Sequence, residues 1–124
     1  MKIKFFKCSK CQKLVAMLKS SACDTICCGE AMTELKPNTT DAAQEKHVPV
    51  VELVGNEVQV KIGSVAHPME EKHFIEFIAL ESKKGCQIKD LKPGDVPQAK
   101  FILSSDDEFE RAYAYCNLHG LWAN

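Results

Sequence analysis

Val48-Pro49-Val50-Val51-Glu52-Leu53-Val54-Gly55-Asn56-Glu57-Val58-Gln59-Val60-Lys61-Ile62 is the stretch that sets the class of this fold. Its first half is rich in β-branched and aliphatic residues, and Gly55-Asn56 is a two-residue hairpin signal. Beyond the turn the alternation is clean. Val58, Val60 and Ile62 lie on one face, and Glu57, Gln59 and Lys61 on the other.

Downstream the same grammar continues. His73 to Glu81 is rich in Phe and Ile, as a largely buried strand would be. Pro93-Gly94-Asp95 marks a turn, and further strands are expected near Lys100–Ser104 and Glu110–Cys116. Short strands separated by turn signals at roughly 8–12 residues suggest a mainly β fold, an antiparallel sandwich of the immunoglobulin type. Nothing argues for a long helix, although Asp41-Ala42-Ala43-Gln44-Glu45-Lys46 could form a single turn.

Upstream the composition changes. Lys36-Pro37-Asn38-Thr39-Thr40 reads as a polar linker with turn chemistry, which divides residues 1–36 from residues 37–124. The first segment holds few large apolar groups and five of the seven cysteines: Cys8, Cys11, Cys23, Cys27 and Cys28. A chain below about 40 residues usually needs a metal or a partner to fold.

The 124 residues carry a net charge of −1, so there is no basic footprint for nucleic acid. No apolar run approaches the roughly 20 residues that span a bilayer, and charges interrupt Met1-Lys2-Ile3-Lys4-Phe5-Phe6-Lys7 where a signal peptide is apolar. The expected location is the cytoplasm, where cysteines read as metal ligands or redox groups before they read as disulfides.

Cys8-x2-Cys11 followed by Cys27-Cys28 supplies four thiolates, a set that suits tetrahedral iron or zinc. Neighbouring side chains on an extended strand point to opposite faces. For Cys27 and Cys28 to reach one metal the backbone must bend, and Gly29 supplies the freedom, so a distorted tetrahedron is expected. A vicinal disulfide or plain buried thiols would be the non-metal reading. Cys23 is left outside the set by spacing, and Cys86, between Gly85 and Gln87, reads as an ordinary strand or loop cysteine.

The second constellation contains all four histidines, His47, His67, His73 and His119, with Cys116 three residues before the last. Taken singly, each histidine reads as readily as a satisfied structural residue. Together, four imidazoles and a thiolate are too many for a closed tetrahedral zinc site. They suit a five-coordinate iron that keeps one position open. The expected placement is at strand ends and turns, with His119 in a terminal loop.

Five motifs then carry a resemblance. They are Cys8-Ser9-Lys10-Cys11; Cys27-Cys28-Gly29-Glu30; Asn38-Thr39-Thr40-Asp41-Ala42-Ala43-Gln44-Glu45-Lys46-His47-Val48-Pro49-Val50; His67-Pro68-Met69-x3-His73; and Cys116-Asn117-Leu118-His119-Gly120-Leu121-Trp122. In this order they resemble desulfoferrodoxin, the two-iron form of superoxide reductase, over the whole chain. The resemblance implies a desulforedoxin-like segment with iron on Cys8, Cys11, Cys27 and Cys28, followed by the family's immunoglobulin-like catalytic domain. It implies a second iron with His47, His67, His73 and His119 in its equatorial plane, Cys116 as axial thiolate and the sixth position facing solvent.

The implied activity is reduction of superoxide to hydrogen peroxide with no release of dioxygen. Lys46 would attract the anion and order a proton-supplying water, and Glu45 would match the glutamate that can occupy the open position of the ferric iron. A rubredoxin-type electron donor and a homodimer are implied as partners. Backbone N–H groups of Leu118 and His119 are expected to hydrogen-bond the Cys116 sulfur.

Two departures from the family pattern fall around the first metal. Gln12 stands where a glycine commonly follows the second cysteine, and Ser20-Ser21-Ala22-Cys23-Asp24 replaces a glycine-rich stretch. Two other classes of function fit parts of the chain. One is an electron carrier whose second metal is structural, and the other is a zinc-stabilised binding module.

Overall fold

The computed structural model describes residues 2–124, and Met1, with which the first segment begins, lies outside them. The described residues form two compact units, 2–36 and 37–124.

In the smaller unit, β1 (Lys4–Lys7), β2 (Leu14–Met17) and β5 (Thr33–Glu34) make an antiparallel sheet in the order β2-β1-β5. A short hairpin joins β3 (Ile26–Cys27) to β4 (Glu30–Ala31). Its buried apolar side chains are Ile3, Phe5, Cys8 and Met32, a core too small to hold the unit by burial alone.

The larger unit opens with α1 (Gln44–His47), a single turn that starts later in the Asp41–Lys46 window and includes His47. Then come β6 (Pro49–Val54) and β7 (Glu57–Ile62), the expected hairpin, with Val54 opposite Glu57 and Gly55 at φ +61° in the turn. Next are β8 (Ile75–Ser82), β9 (Cys86–Asp90), β10 (Gln98–Ile102), β11 (Phe109–Cys116) and β12 (Gly120–Ala123). One sheet has the order β10-β7-β6 and the other β12-β11-β8-β9, all antiparallel. The alternation in β7 decides the packing. Val58, Val60 and Ile62 are buried and join Ile78, Leu80, Phe101, Ala112 and Ala114 in one core between the two sheets. None of the described helices is long and apolar enough to cross a membrane.

Three boundaries differ from the sequence reading. β8 begins at Ile75, because Glu70 and His73 exchange backbone hydrogen bonds of 2.9 and 3.0 Å and hold His73 in a turn. β10 begins two residues before Lys100. The terminal segment after His119 is an edge strand, not a loop, paired to β11 with Cys116 opposite Gly120.

The polar stretch around Pro37 is also more ordered than a linker. Asn38 sits at φ +62° and docks on β12, donating its amide N–H to Leu121 (3.0 Å) and exchanging side-chain hydrogen bonds with Ala123 at 2.9 and 3.0 Å. This ties the segment leading into α1 to the strand that follows His119.

Candidate metal centres

In the smaller unit, Cys8, Cys11, Cys27 and Cys28 converge, with all four sulfurs within 4.8 Å of one another. Cys11 and Cys27 Sγ are 3.6 Å apart, and Cys27 and Cys28 Sγ 4.0 Å. Two sulfurs about 2.3 Å from one tetrahedral ion would be about 3.8 Å apart, so the unequal edges bracket a slightly distorted tetrahedron. They are far beyond the roughly 2.05 Å of a disulfide, and all seven cysteines are free thiols. Cys23 is exposed and outside the cluster, and Cys86 is a half-buried residue of β9.

The bend that brings the vicinal pair together begins earlier than Gly29. Cys28 itself is left-handed at φ +53°, and Gly29 follows at φ +76°. A Cβ on Gly29 would meet nothing within 4 Å, so glycine is needed there for its backbone conformation and not for space. On the other side, the Cys11 amide donates to Cys8 Sγ at 3.4 Å. The amides of Cys11 and Lys10 pull the Cys8 thiol down to about 6, while hydrogen bonding with the sulfurs of Cys11 and Cys8 pushes Cys27 up to about 12. Four sulfurs this close resist joint ionisation unless a cation lies among them.

Gln12 is left-handed too, at φ +67°. A non-glycine residue pays about 1–2 kcal/mol for that conformation, offset by the roughly 0.5–1 kcal/mol of extra entropy glycine loses on folding. Gln12→Gly is therefore expected to stabilise the smaller unit by about 0.5–1 kcal/mol. The exposed 2.9 Å bond from Gln12 Nε2 to the Ser9 carbonyl returns little when solvent replaces it. A thermal melt followed on residues 2–36 would show the gain; an unchanged or lower midpoint would refute the strain argument.

The larger unit assembles its set from four separate places. His47 ends α1, His67 lies in the turn after β7, His73 is in the bridge turn before β8, and Cys116 and His119 flank the β11–β12 turn. A register irregularity between Tyr115 and Cys116 re-aims the end of β11, and Cys116 is fully buried in the sandwich core. The ligand atoms of His47, His67, His73 and Cys116 lie within 4.8 Å of one another. His119 completes the group, with Nδ1 3.1 Å from His47 Nε2 and 3.8 Å from Cys116 Sγ.

The four rings form a square. Neighbouring centroids are 4.7 Å (His47–His67), 4.7 Å (His67–His73), 5.0 Å (His73–His119) and 4.9 Å (His119–His47), each pair edge-on. The His47–His73 diagonal is 6.4 Å. His47 and His67 are buried, whereas His73 and His119 are partly exposed, so the square is closed by protein along one edge and reaches solvent along the opposite one.

Tautomers decide what this square is for. His47 Nδ1 lies 2.7 Å from the Ala43 carbonyl, and His67 Nδ1 2.6 Å from the Pro68 carbonyl. A carbonyl only accepts, so both Nδ1 atoms carry the hydrogen and both Nε2 atoms carry lone pairs. Yet those two Nε2 atoms face each other at 3.2 Å. Neither can donate to the other, and such a contact is repulsive unless a cation joins them. Two nitrogens about 2.1 Å from one ion and at right angles would be about 3.0 Å apart. Nε2 of His73 is buried with no hydrogen-bond partner among the described residues. An orphaned polar atom on a residue of the same cluster as two opposed lone pairs fits a metal.

Electrostatics point the same way. Burial lowers the pKa of His47, His67 (to about 4) and His73, with neighbouring imidazoles and, at His47 and His73, the Lys46 ammonium acting in the same direction. The imidazoles are thereby kept neutral, the form that ligates. Burial pushes the Cys116 thiol up, and the N–H groups of His119 and Leu118 oppose it, as the sequence led us to expect. Glu45 and Lys46 are both exposed on α1 beside His47.

Two further residues support the square; both lie in the Cys116–Trp122 motif, but neither has a role legible in the sequence. Trp122, almost fully buried, stacks on His47 at 4.8 Å and donates its indole N–H to the His119 carbonyl at 3.0 Å, bracing two corners of the square. Asn117 accepts from the Phe74 amide and donates to the Lys72 carbonyl, both at 3.0 Å, clamping the backbone on either side of His73.

Residues 39–124 match the family model described as Desulfoferrodoxin. Over 117 residues the chain is 49% identical to the desulfoferrodoxin of Nitratidesulfovibrio vulgaris, covering 94% of this chain and 91% of the relative. It is 48% identical to a desulfoferrodoxin homolog of Archaeoglobus fulgidus, with 94% and 92% covered. Among solved structures, the superoxide reductase of Treponema pallidum is similar over 100% of this chain and 99% of that one, with a TM-score of 0.84 and 40% identity.

Proposed function

Since the chain belongs to the desulfoferrodoxin family, we propose that it is a superoxide reductase, an oxidoreductase that turns superoxide into hydrogen peroxide without releasing dioxygen. The observation that carries the reading is the square of imidazoles with two opposed lone pairs at 3.2 Å and the orphaned Nε2 of His73. In it, His47, His67, His73, His119 and Cys116 hold an iron. When bound, that iron supplies the one electron that each superoxide takes up with two protons.

The protein's own part is positional and electrostatic. The carbonyls of Ala43 and Pro68 fix the tautomers of His47 and His67, so both present Nε2 without proton loss. Cys116 would supply a thiolate, a strongly electron-donating ligand that favours reduction of the substrate, and the N–H groups of Leu118 and His119 temper that donation. Lys46 brings a positive charge to the exposed side of the site, where it attracts an anion and holds water as a proton source. Glu45, its neighbour in the same turn, is an exposed carboxylate that would suit the oxidised form of that metal.

Residues 1–36 form, in this reading, a desulforedoxin-like domain with a second iron on Cys8, Cys11, Cys27 and Cys28, and residues 37–124 the catalytic domain. A rubredoxin-type donor, a homodimer and a cytoplasmic location complete the proposal. The electron-carrier alternative is disfavoured by the half-exposed His73 and His119, since a purely structural metal has no use for an open side.

The decisive test begins with iron and zinc per chain in protein purified without added metal, followed by mixing the reduced protein with superoxide. Two irons, stoichiometric peroxide and no dioxygen are expected. Zinc without iron would sink the mechanism. Lys46→Ala is expected to lower the second-order rate about tenfold, the small end of steering effects, and to flatten its dependence on ionic strength. An unchanged rate and slope would remove Lys46 from the mechanism.

A further inference from the structure

Gly63 directly follows β7 at φ +81°, buried beneath the turn that carries Glu45 and Lys46. A Cβ at this position would lie 2.3 Å from the Val65 carbonyl oxygen, 2.7 Å from the Glu45 carbonyl oxygen and 2.8 Å from the Lys46 carbonyl carbon. All three are backbone atoms, so no side chain can swing away to make room. The Val65 amide donates to the same Glu45 carbonyl at 2.9 Å, and Ser64 Oγ donates to it at 3.3 Å. Three consecutive residues therefore form a shelf under Glu45: one gives clearance and two give hydrogen bonds.

α1 is a single turn. Val48 donates to Gln44 at 2.9 Å and Lys46 to Ala43 at 3.3 Å, and the helix has no side-chain N-cap. One turn with so little internal support does not hold its own geometry. Its exposed charges take their position from what the backbone rests on. The shelf also leads directly into His67, whose amide donates to Ile62 at 3.2 Å, so the same turn links two corners of the square.

We propose that Gly63, Ser64 and Val65 are positioning residues that hold Lys46 and Glu45 over the exposed side of the metal centre, with Gly63 the position where no side chain is tolerated. The inference rests on the superoxide reductase reading for its consequence in catalysis, though not for its geometry. Gly63→Ala must push the Glu45–Lys46 backbone outward. His47, His73 and Cys116 have further anchors outside the shelf (the Trp122 indole, the Asn117 clamp and the β11 backbone), so the metal is expected to stay bound.

The test joins a readout independent of activity to a double-mutant cycle. Hydrogen exchange by mass spectrometry on peptides covering residues 44–48 and 62–67 is expected to accelerate at least about fivefold in Gly63→Ala, with exchange elsewhere in residues 37–124 unchanged. Iron content and the ferric thiolate absorption are expected to match the parent protein. The superoxide rate should fall about five- to tenfold with a flattened salt dependence, and by less than about twofold when Gly63→Ala is added to Lys46→Ala.

Unchanged exchange in both peptides would overturn the shelf, and so would losses that multiply in the double variant. Should Gly63→Ala fail to accumulate as folded protein, Ser64→Ala, which removes only one donor to the Glu45 carbonyl, decides through the same exchange measurement: faster exchange at residues 44–48 supports the proposal and unchanged exchange overturns it. If the parent protein does not consume superoxide, the functional reading falls, while the exchange result still decides the shelf on its own.

Discussion

Cys116→Ser is expected to abolish the thiolate-to-iron absorption of the ferric second site and to lower superoxide consumption by at least about 100-fold, beyond the 10- to 100-fold typical of residues that only support a ligand. Cys116 is fully buried, and its sulfur receives the N–H groups of Leu118 and His119. A serine oxygen is smaller and can accept the same hydrogen bonds, so the sandwich should fold with its core nearly intact. What disappears is a soft, polarisable donor, replaced by a hydroxyl that does not ionise in this setting. The absorption spectrum of the oxidised protein, read beside its iron content, checks the result. A band that survived unchanged with iron bound would show that the thiolate is not a ligand.

Stripping metal from the reduced protein with a chelator is expected to unfold residues 2–36 while residues 37–124 keep their strands. The smaller unit buries only Ile3, Phe5, Cys8 and Met32 among its apolar side chains. Two of its strand pairs, β3 with β4 and β1 with β5, are two residues long. A structural tetrahedral site supplies on the order of 10 kcal/mol to such a fold, more than the whole net stability of an ordinary domain of this size. The larger unit has twelve buried residues in one core cluster and needs no ion to stay closed. Amide exchange before and after chelation separates the two. If the amides of β1 and β2 stayed protected in metal-free protein, the cysteine cluster would not be what folds this unit.

The two ligand sets differ in how legible they were. Cys8, Cys11, Cys27 and Cys28 are close in sequence, and a short chain poor in apolar residues leaves thiolates little other purpose. The four histidines are spread from position 47 to position 119, so residue type alone suggested them as a set with Cys116, and the family resemblance strengthened that set before the fold brought them together. The strand that was missed, β12, has no alternation of its own. Gly120-Leu121-Trp122-Ala123 is a strand because β11 offers it an edge, and Asn38 caps its other side. His73 looked like the start of a strand because Phe and Ile follow it, yet its backbone is taken by Glu70.

From the sequence alone come the β class, the Gly55 hairpin, the division near Pro37 and the identity of the nine candidate ligands, because each depends on residue type, alternation or short spacing. Tertiary structure alone decides how those ligands are aimed. Which nitrogen of His47 and His67 faces inward is set by the carbonyls of Ala43 and Pro68. Which edge of the square meets solvent depends on contacts such as that of His47 with His119, 72 residues away. What keeps Lys46 in place depends on a glycine marked by its left-handed backbone and the space it leaves empty. A chain encodes local preference residue by residue, but a metal site is a set of distances between residues far apart in it, and those distances exist only once the sandwich has closed.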